Sequence, residues 1–345
     1  MPVAQETELT VFATALLHAA GYTPDEAAQT ARLLVWANLR GADSHGVLRI
    51  PRYIEMIRTA VVRAGQQPTL IREFGATCVF DYGKAPGAVA MMHAAGKAGD
   101  LAEKFGIGWC GARAISHAGA IGYFTTQLAG RGLIGIAMTA SRPLMSYFGA
   151  KGEALSTNPL SIAVPRPGDA DPIVLDMSTA AVALGKIMAA KDSGNPIPKG
   201  WAIDANGVET QDPHAVAAIL PMAGPKGSGL SLMIEVLSSV LVGNAIIAPF
   251  LRGEKKGGFN GLMLAINPAA FGDTSSFLAS MESLAGAIHA LDPAAGSDGV
   301  KLPGERGFQT GRERMANGIP LASGTARNLA DAAVQLGLAV PAFLH

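Results

Sequence analysis

The chain has 345 residues, 49% of them hydrophobic and only 16% charged, enough for two modest domains or one large one around a sizeable core. Its formal net charge is zero and its pI about 7.1, with no basic stripe, which argues against a nucleic-acid partner. Two cysteines, Cys78 and Cys110, are too few for a disulfide framework or a structural zinc site, and a mean hydropathy of +0.28 points to apolar surface covered by a second subunit.

In chain order, the first eight residues lack a basic run ahead of an apolar one, so no secretory leader is expected and the chain reads as cytoplasmic. Leu9, Phe12, Ala13, Leu16 and Leu17 recur at helical spacing before Gly21. Thr23, Pro24 and Glu26 form a capping box with proline at the first helical position, and Gly41 suits the helix stop. The next residues, Arg40 to Tyr53, hold an imidazole, a hydroxyl, a carboxylate, three guanidiniums and a phenol. If Asp43 or Ser44 caps a new helical turn, His45 and Arg49 stand at i and i+4, with Arg52 and Tyr53 one turn further on the same face. A proton donor beside a fork for a carboxylate is one reading, and a polar turn with His45 bonded to backbone is the other.

Strands are expected at 76–83 and 107–115, with an alanine-rich helix at 88–104 between them. His117 stands at a strand-to-helix junction, where a helix is expected from Ser116 to about Gly130, a place where α/β proteins seat ligands but also where a histidine simply caps. Strands follow at 132–141, after the Thr157-Asn158-Pro159 turn, and at 172–180, the last ending in Asp176 and Ser178 before a helical run to about Lys191. An acid there holds a ribose hydroxyl or serves as an N-cap. Residues 192–213 read as a loop with a turn at Asp204–Gly207. Gly224-Pro225-Lys226-Gly227-Ser228-Gly229 is a glycine loop with a lysine feeding a helix, a pyrophosphate seat or only a tight loop before the apolar segment Leu230–Leu251. That segment carries Glu235 and Asn244 and reads as a buried helix and not a membrane span. A strand at 257–268 and helices near 274–290 and 324–338 complete the pattern. No GxGxxG fingerprint, Walker A loop, GxSxG elbow or metal-ligand spacing is present, and no metal is expected.

The run LRGADSHGVLRIPRY (39–53) closely resembles a signature of the malate/L-lactate dehydrogenase family of the second, non-Rossmann type. The likeness continues in order through ISHAGAIGY (115–123), STNPLSIAVP (156–165), VLDMSTA (174–180), LPMAGPKGSGLSLMIEVLSSVLVG (220–243), LPGER (302–306) and NGIPLASGTARNLADAAVQLGL (317–338). This family includes ureidoglycolate and sulfolactate dehydrogenases, diketogulonate reductase and the piperideine/pyrroline-2-carboxylate reductases. Ala118 and Pro225 depart from it, standing where an aromatic, or at the second position an aromatic or histidine, is common.

The resemblance implies an α/β fold with a mixed sheet flanked by helices and a helical N-terminal segment. It divides the chain into 1–60, carrying substrate-site residues, 61–124 with 290–345 for dimerisation and substrate, and 125–289 for a nicotinamide cofactor. It implies NAD- or NADP-dependent interconversion of a 2-oxo acid and a 2-hydroxy acid, alternatively reduction of a cyclic imine, by a homodimer. A non-catalytic relative that binds a small acid is the remaining reading. His45 matches the family's proton donor and His117 an acid/base of some members. Arg49 is then the carboxylate anchor, with Ser44 beside it and Arg52 the next candidate. Matching cofactor positions are Ser141, Leu175, Asp176, Met177, Ser178, Pro225, Lys226, Gly304, Glu305 and Arg306.

Overall fold

The capping box at Thr23 and Glu26 closes as the spacing predicts. In the computed structural model, which describes residues 1–254 and 258–344, the Thr23 hydroxyl accepts the Glu26 amide at 3.3 Å and the Glu26 carboxylate accepts the Thr23 amide at 3.0 Å. Two orphan donors are thus satisfied at once. This box opens helix α2 (Pro24–Leu39), preceded by β1 (Val3–Ala4) and α1 (Glu6–Ala19) and followed by α3 (Ile50–Arg58). Leu9, Leu16 and Leu17 of α1, Leu34 of α2 and Ile50, Tyr53 and Ile54 of α3 share one buried cluster with Ile319, Leu321 and Leu329. The C-terminal end therefore closes the N-terminal helical layer.

β2 (Thr69–Phe74) and β3 (Thr77–Ala85) form a hairpin, α4 (Gly87–Phe105) crosses back, and β4 (Ile107–Ile115) lies parallel to β3. After α5 (Gly122–Ala129), strands β5 (Ile134–Ser141), β6 (Leu160–Val164) and β7 (Ile173–Met177) run antiparallel in succession. Next come α6 (Leu184–Ser193), the two-stranded β8 (Ala202–Ile203) and β9 (Ala218–Ile219), α7 (Pro225–Glu235) and α8 (Ile247–Leu251). β10 (Phe259–Ile266) then inserts between β4 and β5. Helices α9 (Thr274–His289) and α10 (Glu305–Asn317), strand β11 (Ile319–Pro320) and helix α11 (Ser323–Gln335) follow, with β11 paired to β1.

The large sheet runs β2-β3-β4-β10-β5-β6-β7, and among the described residues β3 and β4 are its one parallel pair. A mixed sheet flanked by helices, with a helical N-terminus, is the non-Rossmann arrangement expected. Its core is built on alternation: Cys78, Phe80 and Tyr82 of β3 face inward against Ala90, Ala94 and Ala98 of α4. The registers also gather one end of the sheet. Phe259 pairs with both Ile115 and Ser141, and Leu160 with both Met138 and Met177, so the residues after β4, β5 and β7 emerge together.

Several expectations need correcting. The apolar segment Leu230–Leu251 is not one buried helix: α7 widens into a π-helical turn at Val236–Val240 and breaks before α8. Met233, Val236, Val240 and Leu241 are exposed, 38–61% open, along one side. Ser116 does not open a helix, since α5 starts only at Gly122, and α6 starts only at Leu184. The expected strand at 257–268 is β10, although Gly257 lies outside the described residues. Strand β2 and helix α10 carried no sequence signal because neither has a buried residue to set a period. The Asp204–Gly207 turn forms as predicted, with the Gly207 amide donating to the Asp204 carbonyl oxygen at 3.0 Å.

Candidate active site

Asn38, the penultimate residue of α2, organises the chemical segment. Its amide nitrogen donates to Asp43 Oδ1 at 2.7 Å, and its amide oxygen accepts the Val47 N–H at 2.8 Å. A Cβ on Gly46 would lie 2.1 Å from Asn38 Oδ1, so the turn passes this close only because residue 46 is glycine. Arg314 of α10 clamps the other side, donating to both oxygens of Asp43 at 2.8 and 3.2 Å and to the Asn38 carbonyl oxygen. Asp43 is thus a bracket of the turn instead of a helix cap, and the segment forms two short 3-10 turns, Asp43–His45 and Val47–Arg49.

These turns present His45 and Arg49 to the sheet end, while Arg52 points away and pairs with Glu55. His45 Nδ1 lies 2.9 Å from Ser44 Oγ, so its partner is a hydroxyl and not the backbone. Arg49 spends Nε on the Ser44 carbonyl oxygen at 2.7 Å, and no acceptor among the described residues takes its two Nη nitrogens. A guanidinium held by one edge with its fork free is suited to a carboxylate.

His117 meets this segment from the loop just after β4. Its ring stacks on that of His45 with centroids 6.0 Å apart and planes 20° from parallel. Tyr53 Oη lies 2.7 Å from His117 Nδ1, and Phe259 meets the ring edge-on at 5.9 Å. Burial, then the neighbouring His45 and the Arg49 charge, holds His117 down at about 3. Burial and Arg49 hold His45 at about 4. Both are well below the ordinary imidazole range, so both are neutral at pH 7. The Tyr53 hydroxyl is pushed up by its burial and stays protonated.

Of the expected cofactor positions, Ser141 ends β5 opposite Phe259 and shares a 2.7 Å hydroxyl contact with Ser156. Leu175 and Met177 pair with Ile162 and Leu160, and Ser178 leads on to Thr179, whose carbonyl oxygen accepts the Met222 N–H just ahead of the glycine loop. Asp176 accepts the Gly122 N–H at 2.9 Å, where a Cβ on Gly122 would come within 2.6 Å of the carboxylate. Its side chain reaches solvent, yet the protein around it pushes the carboxyl up to about 6 against the pull of that amide and of Arg40.

The glycine loop ahead of α7 does not present a row of free amides. Pro225 has none, and the amides of Lys226, Gly227 and Ser228 donate to Ala223, Met222 and Gly224 carbonyl oxygens. What remains for an anion is the positive helix end and Lys226 itself, exposed and without an ion pair among the described residues. The alternative partner, Glu235, is buried and accepts the Ile246 and Ile247 amides instead. A cation for phosphate at the start of α7, and a carboxylate and hydroxyls for ribose on β5 and at the end of β7, form a donor set that fits a nicotinamide dinucleotide.

Gly304, Glu305 and Arg306 lie to one side. The Pro303 carbonyl oxygen accepts the Val174 N–H along the outer edge of β7, the Gly304 carbonyl oxygen accepts Arg40, and Glu305 pairs with His289 at 2.6 Å. Arg306 is exposed. Arg40 lies over the Phe308 ring at 3.7 Å and lines a groove of about 530 Å³ with Trp36, Asp171 and Arg312, apart from the histidine pair. Asn38, Arg314 and Phe259 escaped the sequence reading. Each acts through a tertiary contact that leaves no local pattern in the sequence.

Comparison with known proteins bears on this geometry. The malate/L-lactate dehydrogenase family model matches residues 4–330. The ureidoglycolate dehydrogenase (NAD(+)) of Escherichia coli K12 is 36% identical, over 88% of this chain and 87% of its own. The (2R)-3-sulfolactate dehydrogenase (NADP(+)) of Chromohalobacter salexigens is 35% identical, over 89% and 91%. Among solved structures, a malate dehydrogenase from Entamoeba histolytica superposes with a TM-score of 0.91 at 26% identity, covering 98% of this chain and 99% of that one. The delta1-piperideine-2-carboxylate reductase of Pseudomonas syringae pvar. tomato gives 0.85 at 26% identity, over 96% and 100%. The family model over nearly the whole chain and these relatives agree with the sequence signature and the mixed sheet, and the chain belongs to the malate/L-lactate dehydrogenase family.

Proposed function

We propose that this chain is an NAD(P)H-dependent oxidoreductase that interconverts a small 2-oxo acid and the matching 2-hydroxy acid. The observation that carries this is the stacked His45–His117 pair beside the free fork of Arg49. When bound, the nicotinamide supplies the hydride that reaches the substrate C2. Arg49 then holds the substrate carboxylate by its two Nη groups, while Ser44 and its neighbours keep that fork in place. The histidine pair handles a single proton, because a second positive charge beside the first and beside Arg49 is disfavoured. A neutral imidazole is ready to accept the hydroxyl proton in oxidation. In reduction, the carboxylate of a bound substrate favours the imidazolium that returns it.

Lys226, Asp176, Ser178 and Ser141 are the residues that would hold the cofactor, with Leu175, Met177 and Pro225 framing them. This supports assigning the cofactor part to 125–289 and the substrate anchors to 1–60. Gly304, Glu305 and Arg306 are kept as an outlying contact beside Asp176. A homodimer is part of the reading, supported by the exposed apolar side of α7 and its π turn, which moves the proposed subunit contact from 61–124 with 290–345 into the cofactor part. A cytoplasmic location matches two unpaired, buried thiols.

A cyclic imine reductase is the second reading, favoured by the structural likeness to the piperideine-2-carboxylate reductase. Following NADH and NADPH absorbance with a panel of 2-oxo acids and cyclic 2-imino acids separates the two. Oxidation of the cofactor with oxo acids is expected. Turnover of imines alone would install the second reading, and no turnover with any member would leave an acid-binding protein.

A further inference from the structure

The contacts around His117 differ in kind. The Phe259 edge and the His45 face pack against a flat ring and do not distinguish its nitrogens from its carbons. Tyr53 does: its hydroxyl reaches Nδ1 at 2.7 Å, across 64 residues of chain, from a side chain only 4% exposed. The phenol ring is fixed in the helical core with Ile50 and Ile54, so the hydroxyl cannot follow the imidazole if it turns over. A hydroxyl both donates and accepts, so this bond persists whether His117 is neutral or protonated. Nε2 has no protein partner among the described residues.

We propose that Tyr53 is a positioning residue that reserves Nδ1 of His117, leaving Nε2 as the nitrogen that exchanges a proton with the substrate oxygen. The proposal rests on the oxidoreductase reading above. In oxidation, the hydroxyl O–H bond breaks and its proton joins the Nε2 lone pair as hydride leaves C2. In reduction, the Nε2–H bond breaks and the substrate oxygen, left with the former π pair, takes the proton. Without the phenol hydroxyl the two flipped orientations of the imidazole become nearly equivalent. Part of the population then presents a carbon edge to the substrate.

Tyr53→Phe keeps the ring and removes only the hydroxyl. The variant is expected to lose about tenfold in kcat with KM for the acid within about twofold, the pattern of a lost orientation and not of lost binding. The ¹⁵N resonance of His117 Nδ1 is expected to carry the signature of a hydrogen bond in the native protein and to move in the variant, while the melting temperature changes little. A packing role alone would leave both kcat and that resonance unmoved, and that result overturns the proposal. Should the variant fail to fold, the native spectrum decides, since an Nδ1 without a hydrogen bond overturns it as well. Native turnover in His117→Asn would instead overturn the reading on which the proposal rests.

Discussion

Two imidazoles set at about 3 and about 4 make the free protein acid-sensitive at the residue scale. In the unfolded chain each takes up a proton near pH 6.5, whereas in the fold each resists until far lower pH. The unfolded state therefore binds more protons between those values. Their contribution to stability is whole above about pH 6.5 and lost as pH falls toward 4. Asp176, raised to about 6, works with the opposite sign: what it contributes is present at low pH and lost as pH rises through 6. Melting curves from pH 7.5 to 4.5 are expected to decline less steeply in His117→Gln than in the native protein, and equal slopes would show that the imidazole is not held neutral. The groups behind this behaviour were partly legible. His45, Arg49 and Ser44 stood in one dense polar run in an otherwise apolar chain, and His117 stood at a strand end. Asn38 was not legible, and Tyr53 was read on the face of His45 and Arg49 but not as the partner of His117, because neither an asparagine near a helix end nor a phenol on a helix face shows in the sequence what it touches.

At the scale of elements, the start of α7 separates two ideas that the glycine loop left open. The loop is tight because its own carbonyls consume the first amides of the helix, so Lys226 is the single group there with a charge to offer. A charge-assisted hydrogen bond contributes about 1.5–3 kcal/mol, so Lys226→Met is expected to weaken cofactor affinity about ten- to a hundredfold. The melting temperature of the free protein should stay unchanged, because Glu235 does not depend on this lysine. Fluorescence titration of NADH and NADPH together with a melting curve checks both halves, and undiminished affinity would move the anion seat away from α7. Elements with a one-sided apolar period, such as α1, α2, α4 and β3, were legible in the sequence. The run Leu230–Leu251 misled because hydrophobicity without a period says that a segment is covered, not by what. In the single chain Met233 and Val240 face outward, each about half exposed.

For the whole molecule, that outward apolar strip is what the proposed homodimer rests on. Val240→Glu with Leu241→Glu would place two carboxylates in a dry contact, and light scattering is expected to show the native protein as a dimer and this variant as a monomer. A variant that remains dimeric would place the subunit contact on another face. The mixed sheet followed from the family signature and not from local pattern, since no spacing in the sequence tells which strands become neighbours.

The place of β10 has a further consequence, for the birth of the molecule. Phe259 and its successors bind β4 on one side and β5 on the other, yet they are synthesised long after both. Until they emerge from the ribosome, the two strand triplets have no common seam, and each offers an unpaired edge of a kind that invites association with other chains. Non-local pairing of this sort makes folding slow, because loop closure comes before the contacts that reward it. The seam that joins the sheet is also the strand whose first side chain rests on His117, and Arg314, which clamps the turn of His45, follows it in the chain, so the chemistry is not assembled before the nascent chain is already most of its final length.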